Sequence, residues 1–303
     1  MRIAILTPDR ADRDFAHSRW REVYQEKAAV LRRAGLAVEN RAWVEPGDFG
    51  SFDLILPLLT WGYCRAASAW QAAVGDWALR GFRVLNPPSV LRWNIEKTYL
   101  GRLAARGAPV VPTIYVDRVT DAALRDAAAA FGSEALIAKP QVSASAWQTI
   151  RWSPGAPLAG GPAGPAMIQP FLPAILSEGE ISLIYLAGRF SHAIRKRPRP
   201  GDFRVQPEHD GIITAHVPAP DERAAAEAAL AAVEEDLLYA RVDLCRDPAG
   251  APALMELELV EPDLYLEHDP AGGAAFAEAV KAAALPTWSS RRRPGPMNPK
   301  VWD

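Results

Sequence analysis

The stretch A-L-M-E-L-E-L-V-E-P-D-L, Ala253 to Leu264, has the apolar composition of a buried strand and carries acids inside it. Side chains two apart in a strand share a face, so Glu256 and Glu258 project together among Leu254, Met255, Leu257, Leu259 and Val260. Neighbouring carboxylates repel, and burying either without a counter-charge costs several kcal/mol. The pattern asks for a cation, and hard oxygen donors at this spacing suit Mg²⁺, usually with a nucleotide phosphate. The competing reading is a solvated edge strand with both acids in water. The rest of the chain decides between them.

At 303 residues and 49% apolar content, the chain is long enough for two or three packed modules with a substantial core. Residues 2–7 are too short an apolar run for a signal peptide and lack a cleavage signature. No stretch approaches the roughly 20 apolar residues of a bilayer span. A cytoplasmic protein without membrane contact is expected. The net charge of −2 provides no field to draw nucleic acid or acidic lipid, which leaves small-molecule partners. Cys64 and Cys245 form no C-x-x-C pair, as suits a reducing compartment without zinc knuckles or disulfides. The five histidines lack metal spacing, His192 and His216 read as structural, and no G-x-S-x-G supports a hydrolase.

The fold class expected is α/β followed by α+β. Residues 1–88 alternate strand and helix signals: Arg2–Thr7, a helix from about His17 to Ala34, L-A-V-E-N-R-A-W, Asp53–Leu59, an Ala/Trp-rich helix, and Val84–Pro88. This predicts a small parallel sheet with covering helices. No G-x-G-x-x-G follows the first strand, which disfavours a dinucleotide-binding dehydrogenase. The second segment, 89–166, contains a helix Asn94–Arg106, a strand Val110–Val116, a helix Asp121–Phe131, and strands Ala135–Pro140 and Gln148–Trp152. The third, 167–288, has strands Met167–Leu172, Glu180–Leu186 and Phe190–Lys196, a helix Asp221–Asp236, the strand A-R-V-D-L-C, the acidic strand, and a helix Pro270–Ala284. Residues 289–303 read as a basic, Pro-rich, extended and mobile tail.

Six landmarks then stand in one order: Lys97 in N-I-E-K, Lys139-Pro140 ending a strand, I-Q-P-F-L-P-A-I with G-E-I, Arg204 in D-F-R-V-Q, Asp243 in R-V-D-L, and the E-x-E strand ending in Pro. Together they resemble the ATP-grasp ligases, especially the bacterial glutathione synthetase branch. The likeness covers roughly residues 90–284, and the N-terminal module matches the family's Rossmann-like parallel-sheet domain in outline. It implies an ATP-grasp fold and a carboxylate–amine ligase that uses ATP and Mg²⁺, with Mn²⁺ as a substitute. An acyl phosphate is the implied intermediate, and ADP and phosphate are released.

Carried over residue by residue, the resemblance gives Lys97 and Lys139 to the phosphates. Around Lys139 the residues give a reading of their own, in which the ammonium bridges phosphates and the Ser143–Ala146 backbone, with Ser143 and Ser145, caps the terminal one. Gln169 would bond the adenine edge, Phe171 and Leu172 would read the purine through their backbone, and Glu180 would meet the ribose. Asp243, Glu256 and Glu258 would hold metal; the branch has Asn where this chain has Glu258. Arg195 and Arg204 would touch the transferred phosphoryl, with Arg197 and Arg199 solvated. Trp61 and Trp147 lie in loops facing the expected cleft, where the N-terminal loops would select an amino-acid-like carboxylate and an amine-type nucleophile. S-A-S-A-W, R-K-R-P with G-D-F-R-V-Q, and M-E-L-E-L-V-E-P-D-L-Y-L also look like the D-cycloserine synthetase subgroup, in which nucleophile and carboxylate belong to one molecule and the product is a ring. A third alternative is a regulatory module that binds ATP without turnover.

Overall fold

Arg2–Thr7 (β1) is buried almost throughout, as an apolar run in a parallel sheet should be. The computed structural model describes residues 1–285 except Arg10, Ala16, His17 and Pro46, and the side chain of Asp14 is likewise left aside. The basic tail expected at 289–303 and the last residues of the third segment fall outside this range. β1 is followed by α1 (Trp20–Arg33), β2 (Ala37–Ala42), β3 (Leu54–Leu56), α2 (Ala67–Leu79), α3 (Pro88–Trp93) and α4 (Tyr99–Ala105). The three strands pair in parallel in the order β2-β1-β3, and a single parallel bridge joins Ile55 to Val84. Ile3 and Ile5 face α1, while Ala4 and Leu6 face a tryptophan-rich cluster around Trp70. The period-2 pattern thus feeds two cores from one strand.

The chain continues through β4 (Ile114–Val116), α5 (Asp121–Phe131), β5 (Leu136–Pro140), β6 (Ile150–Trp152), β7 (Ala166–Pro170) and α6 (Ala174–Ser177). It ends in β8 (Glu180–Leu186), β9 (Arg189–Arg197), β10 (Ile212–His216), α7 (Pro220–Ala231), β11 (Tyr239–Arg246), β12 (Pro252–Glu258) and α8 (Ala274–Ala284). Two antiparallel sheets result, ordered β4-β7-β5-β6 and β10-β9-β8-β11-β12. β7 was expected to open the third segment, yet it pairs with β4 and β5, so the four-stranded sheet extends to Pro170. The 90–108 stretch, assigned by sequence to the second segment, packs instead on the five-stranded sheet, where Val90, Tyr99, Leu100 and Leu103 join Leu244, Leu254 and Leu257.

Two further expectations change. The helix expected from Asn94 begins only at Tyr99, because the Asn94 side chain is bonded to β12 and the Lys97 N–H donates to the Gln141 carbonyl at 2.8 Å. β10, which was not expected, pairs with β9 beyond a loop.

β12 is an edge strand whose outer backbone is covered. Leu254 N–H donates to the Pro109 carbonyl at 2.6 Å, and its carbonyl accepts from Val111 N–H at 3.0 Å. Tyr99 Oη accepts from Leu257 N–H at 2.9 Å; Asn94 donates to the Leu257 carbonyl and accepts from Leu259 N–H, both at 2.8 Å. Asn86 donates to the carbonyls of Leu259 and Tyr239 at 2.8 Å each and accepts from Leu238 N–H at 2.7 Å. Covering an edge in this way satisfies buried polar groups and blocks further pairing. Asn86→Ala strands several of them at once, so urea unfolding should show a loss of about 3 kcal/mol, well above the ~0.5 kcal/mol of an ordinary surface change.

Candidate active site

The two antiparallel sheets face each other across a cleft of about 560 Å³, closed on the third side by the Trp61–Arg65 loop of the N-terminal module. Strand alternation decides which residues face inward. On β8, β9 and β11 the inward set includes Glu180, Lys196, Arg241 and Asp243, with Ser182 on the same face beneath Asp243, while Ile181, Leu183, Ala193, Val242 and Leu244 pack toward α7 and α4. On β12 the register shifts, so that Asp243 stands opposite Glu256 but Leu244 stands opposite Leu254. Met255 is the extra residue of a β-bulge, which lets Leu254 join the core although it lies two residues before Glu256.

One carboxylate oxygen each from Asp243, Glu256 and Glu258 lies within 4.8 Å of the others. Every one of these acids has a cation fixed to it. Arg241 bonds Asp243 through Nε and Nη2, both at 3.0 Å, and also pairs with Glu258, its register partner. Lys196 pairs with Glu180 and lies 3.7 Å from Asp243, which also accepts a 2.5 Å bond from Ser182 Oγ. Lys97 reaches Glu256 at 3.2 Å and the Ser143 carbonyl at 2.5 Å. Gly179, at φ +94°, allows β8 to start against the Lys196 carbonyl, where a Cβ would collide.

The charge states follow from these contacts. Burial opposes ionisation of Asp243, but Arg241 and Lys196 hold it below the usual carboxylate range. Burial likewise opposes Glu256, and Lys97 and Lys139 overcome it. At Glu258 burial wins and raises the carboxyl, because Arg241 divides its donors between two acids and Glu256 repels.

The other wall is β5 and its loop. Lys139 points into the cleft with no carboxylate within 4.0 Å among the described residues, and burial lowers its ammonium below the ordinary range, with Glu256 acting in the opposite sense. Past it, Ser145 and Ala146 adopt left-handed φ of 49° and 56°, and the N–H groups of Ser143, Ser145 and Ala146 have no backbone acceptor among the described residues. Ser143 is buried, with Oγ donating to the Pro140 carbonyl at 3.3 Å. Gln169 is buried and donates to Thr113 Oγ1 at 2.9 Å. Phe171 N–H is engaged by the Ala135 carbonyl at 2.8 Å, so this group does not face a ligand; Leu172 N–H has no partner among the described residues. Phe171, Leu172, Trp61 and Trp147 all line the cleft. Arg204 does too, with its guanidinium forked onto Asp202 through Nη2 at 2.8 Å and Nε at 3.1 Å.

Arg195 is the exception among the expected residues. It lies on the α7 side of the sheet, with Nη2 3.4 Å from His216 Nδ1, and does not line the cleft. The strand turns each successive side chain over, so Lys196 faces inward in its place. The sequence reading also passed over Arg241 and Glu261. Arg241 was legible in R-V-D-L, since it is two residues before Asp243 and shares its face. His192 is structural as expected: its Nε2 lies 2.8 Å from the Leu264 carbonyl. Both cysteines are free.

These three sheets, with an acidic strand facing a lysine-bearing strand across one cleft, define an ATP-grasp architecture. Comparison with known proteins gives the family. The model of the D-cycloserine synthetase DcsG N-terminal domain matches residues 3–86. The cycloserine biosynthesis protein DcsG of Streptomyces lavendulae is 31% identical over 288 residues, spanning 85% of this chain and 92% of that protein. The crystal structure of D-cycloserine synthetase DcsG superposes with a TM-score of 0.78 at 25% identity, covering 94% of this chain and all of that one. An ATP-grasp ligase, PsnB, solved with a phosphomimetic variant of its minimal precursor, Mg and ADP, superposes at 0.63 with 16% identity, covering 93% and 98% of the two chains. The chain belongs to the ATP-grasp ligases, in the D-cycloserine synthetase family, and is an ATP-dependent ligase joining a carboxylate to an amine. Among the described residues no helix is long and apolar enough to cross a membrane.

Lys196, which is buried, and Lys139, which is half-buried, should respond differently to neutralisation. Lys196→Met leaves Glu180 and Asp243 short of a counter-charge and should cost about 3–5 kcal/mol in denaturant unfolding. Lys139→Met removes a cation with no ion pair within 4.0 Å among the described residues, one that acts on Glu256 only at longer range, and should leave the unfolding free energy within about 1 kcal/mol of the parent.

Proposed function

We propose that the protein transfers the γ-phosphoryl of ATP to the carboxylate of an amino-acid-like small molecule, and that an amine then attacks the acyl phosphate. Phosphate leaves, an amide forms, and ADP is released. The observation that supports this most is the unpaired Lys139 ammonium facing three clustered carboxylates across one cleft. A polyphosphate needs the first, and a divalent ion needs the second.

Asp243, Glu256 and Glu258 fit Mg²⁺ by donor chemistry, as a set of hard oxygens within 4.8 Å of one another. Mn²⁺ shares that preference and is proposed as a substitute. When bound, the ion neutralises charge on the transferred phosphoryl. Lys139 and Lys97 add fixed positive charge, and the N–H groups of Ser143, Ser145 and Ala146 turn toward anionic oxygens in a left-handed loop. Gln169, Leu172 and Glu180 border the proposed nucleoside end, with Phe171 supplying a packing surface. Arg204 holds the acyl phosphate, oriented by Asp202. Positioning and charge neutralisation do most of the work, because phosphoryl transfer asks for little covalent chemistry from the protein. Closure of the Ser143–Ala146 loop would exclude water from the acyl phosphate.

A second reading, that the amine and the carboxylate belong to one molecule, is favoured by the match of residues 3–86 to the DcsG N-terminal domain. Ring closure would then release a product lighter than the acid by one water, and added amines would leave the rate unchanged.

The test incubates the protein with ATP, Mg²⁺, a panel of carboxylic acids and hydroxylamine as trap. Hydroxamate with ADP is expected. AMP with pyrophosphate, or ATP binding without acid-dependent turnover, overturns the reading, and the latter leaves a regulatory nucleotide-binding module. Glu256→Gln should lower turnover by at least ~10²-fold with the fold intact by circular dichroism, and Arg204→Met should do the same without weakening ATP binding in calorimetry.

A further inference from the structure

The acids of the cleft that are screened from water obey a rule with one departure among the described residues. Asp243 and Glu258 share Arg241, Glu180 has Lys196, Glu256 has Lys97 at 3.2 Å, and Asp263 has the buried Lys27 at 3.1 Å. Glu208 also borders the cleft but stands exposed, where water serves it. Glu261 lines the same cleft with no basic partner within 4.0 Å among the described residues, and its Oε2 is enclosed without a hydrogen-bond partner. Burial, and then Glu258, push this carboxyl well above the usual range, and an enclosed oxygen with no hydrogen-bond partner ordinarily answers to a function or a ligand.

Its position narrows the ligand. Glu261 follows Glu258 by three residues, at the junction where the acidic wall meets Tyr63 and Cys64 of the N-terminal loop. Pro262 restricts its backbone to extended conformations and so limits its reach. It does not belong to the group of carboxylates close enough to share an ion. A carboxylate waiting for the phosphoryl group must lie between the Glu256–Glu258 wall and Lys139, and in an α-amino acid the ammonium is one carbon away.

We propose that Glu261 receives the α-ammonium of an amino-acid substrate and thereby selects amino acids over simple carboxylic acids. This rests on the ligase reading above, which already takes an amino-acid-like acid, and adds to it the residue that reads the amino group. A substrate ammonium supplies the one cation that the cleft omits, donates to Oε2, and turns the substrate carboxylate toward the phosphoryl donor. Tyr63 and Cys64 then border the side chain of the amino acid.

The test compares wild type with Glu261→Gln in the hydroxylamine assay, using D- and L-alanine and D- and L-serine against propionate and 3-hydroxypropionate. Wild type should favour amino acids by about 10²-fold in kcat/KM. Glu261→Gln should raise the KM for amino acids by about that factor while leaving the values for ATP and for the simple acids unchanged. Its thermal midpoint should not fall, because the variant loses no internal ion pair. Three results overturn the assignment: an undiminished preference in Glu261→Gln, a lowered midpoint with every KM raised together, or wild type indifferent to the amino group. Absence of hydroxamate from wild type with every acid overturns the ligase reading and this proposal with it, whereas hydroxamate with unchanged selectivity overturns this proposal alone.

Discussion

Strand register is the constraint on which the cleft depends. Across β9, β8, β11 and β12, cations and acids alternate: Lys196 opposite Glu180, Arg241 opposite Glu258, with Asp243 between them. Each of these ions, buried alone, would cost several kcal/mol, and mutual attraction offsets that cost only when partners sit at hydrogen-bond distance. A one-residue slip would carry every charge to the α7 face, among Ala225, Ala226 and Ala229. The bulge at Met255, the glycine at 179 and the asparagine side chains along the β12 edge all hold the pairing in place. The same network that concentrates negative charge for a cation thus makes the fold intolerant of other registers.

The modules are tied together by cores that ignore the segment boundaries. Ile3, Ile5 and Leu56 of the first sheet share one cluster with Ile184, Ile194 and Val280, while Val260 packs with Trp70 and Ile95. The four-stranded sheet is different: one face holds its own cluster with α5, around Leu124, Leu136 and Ile168, and the other carries Lys139 and Gln169 over the cleft. That second face is also tied to the five-stranded sheet, through Met167, which packs with Leu183 and Leu244, and through Ile137, which packs against the cluster of Phe171, Cys245 and Ala253.

Much of this was legible in the chain. The acidic strand, the lysine ending β5, the Gln-containing strand and the alternation of the first third all lie where local periodicity and apolar runs place them. What local reading could not supply was which of two adjacent basic residues on β9 faces inward. Arg195 was chosen for its guanidinium, but the face is set by pairing with Glu180, a contact between strands that sequence spacing does not encode. The helix expected from Asn94 failed for the same kind of reason, since its first turn is given up to bonds with Leu257 and Leu259. Glu261 was invisible because its distinguishing property is a missing partner, and only a folded arrangement can reveal an absence.

The Trp61–Arg65 loop enters the cleft from a sheet that contributes nothing to the charge ladder. Its residues add no backbone pairing to that ladder, yet Cys64 meets the backbone N–H of Ala144 in the loop after β5. A change of side chain at Cys64 is therefore felt beyond the N-terminal module, because the seam between that module and the wall bearing Lys139 runs through that thiol and one amide.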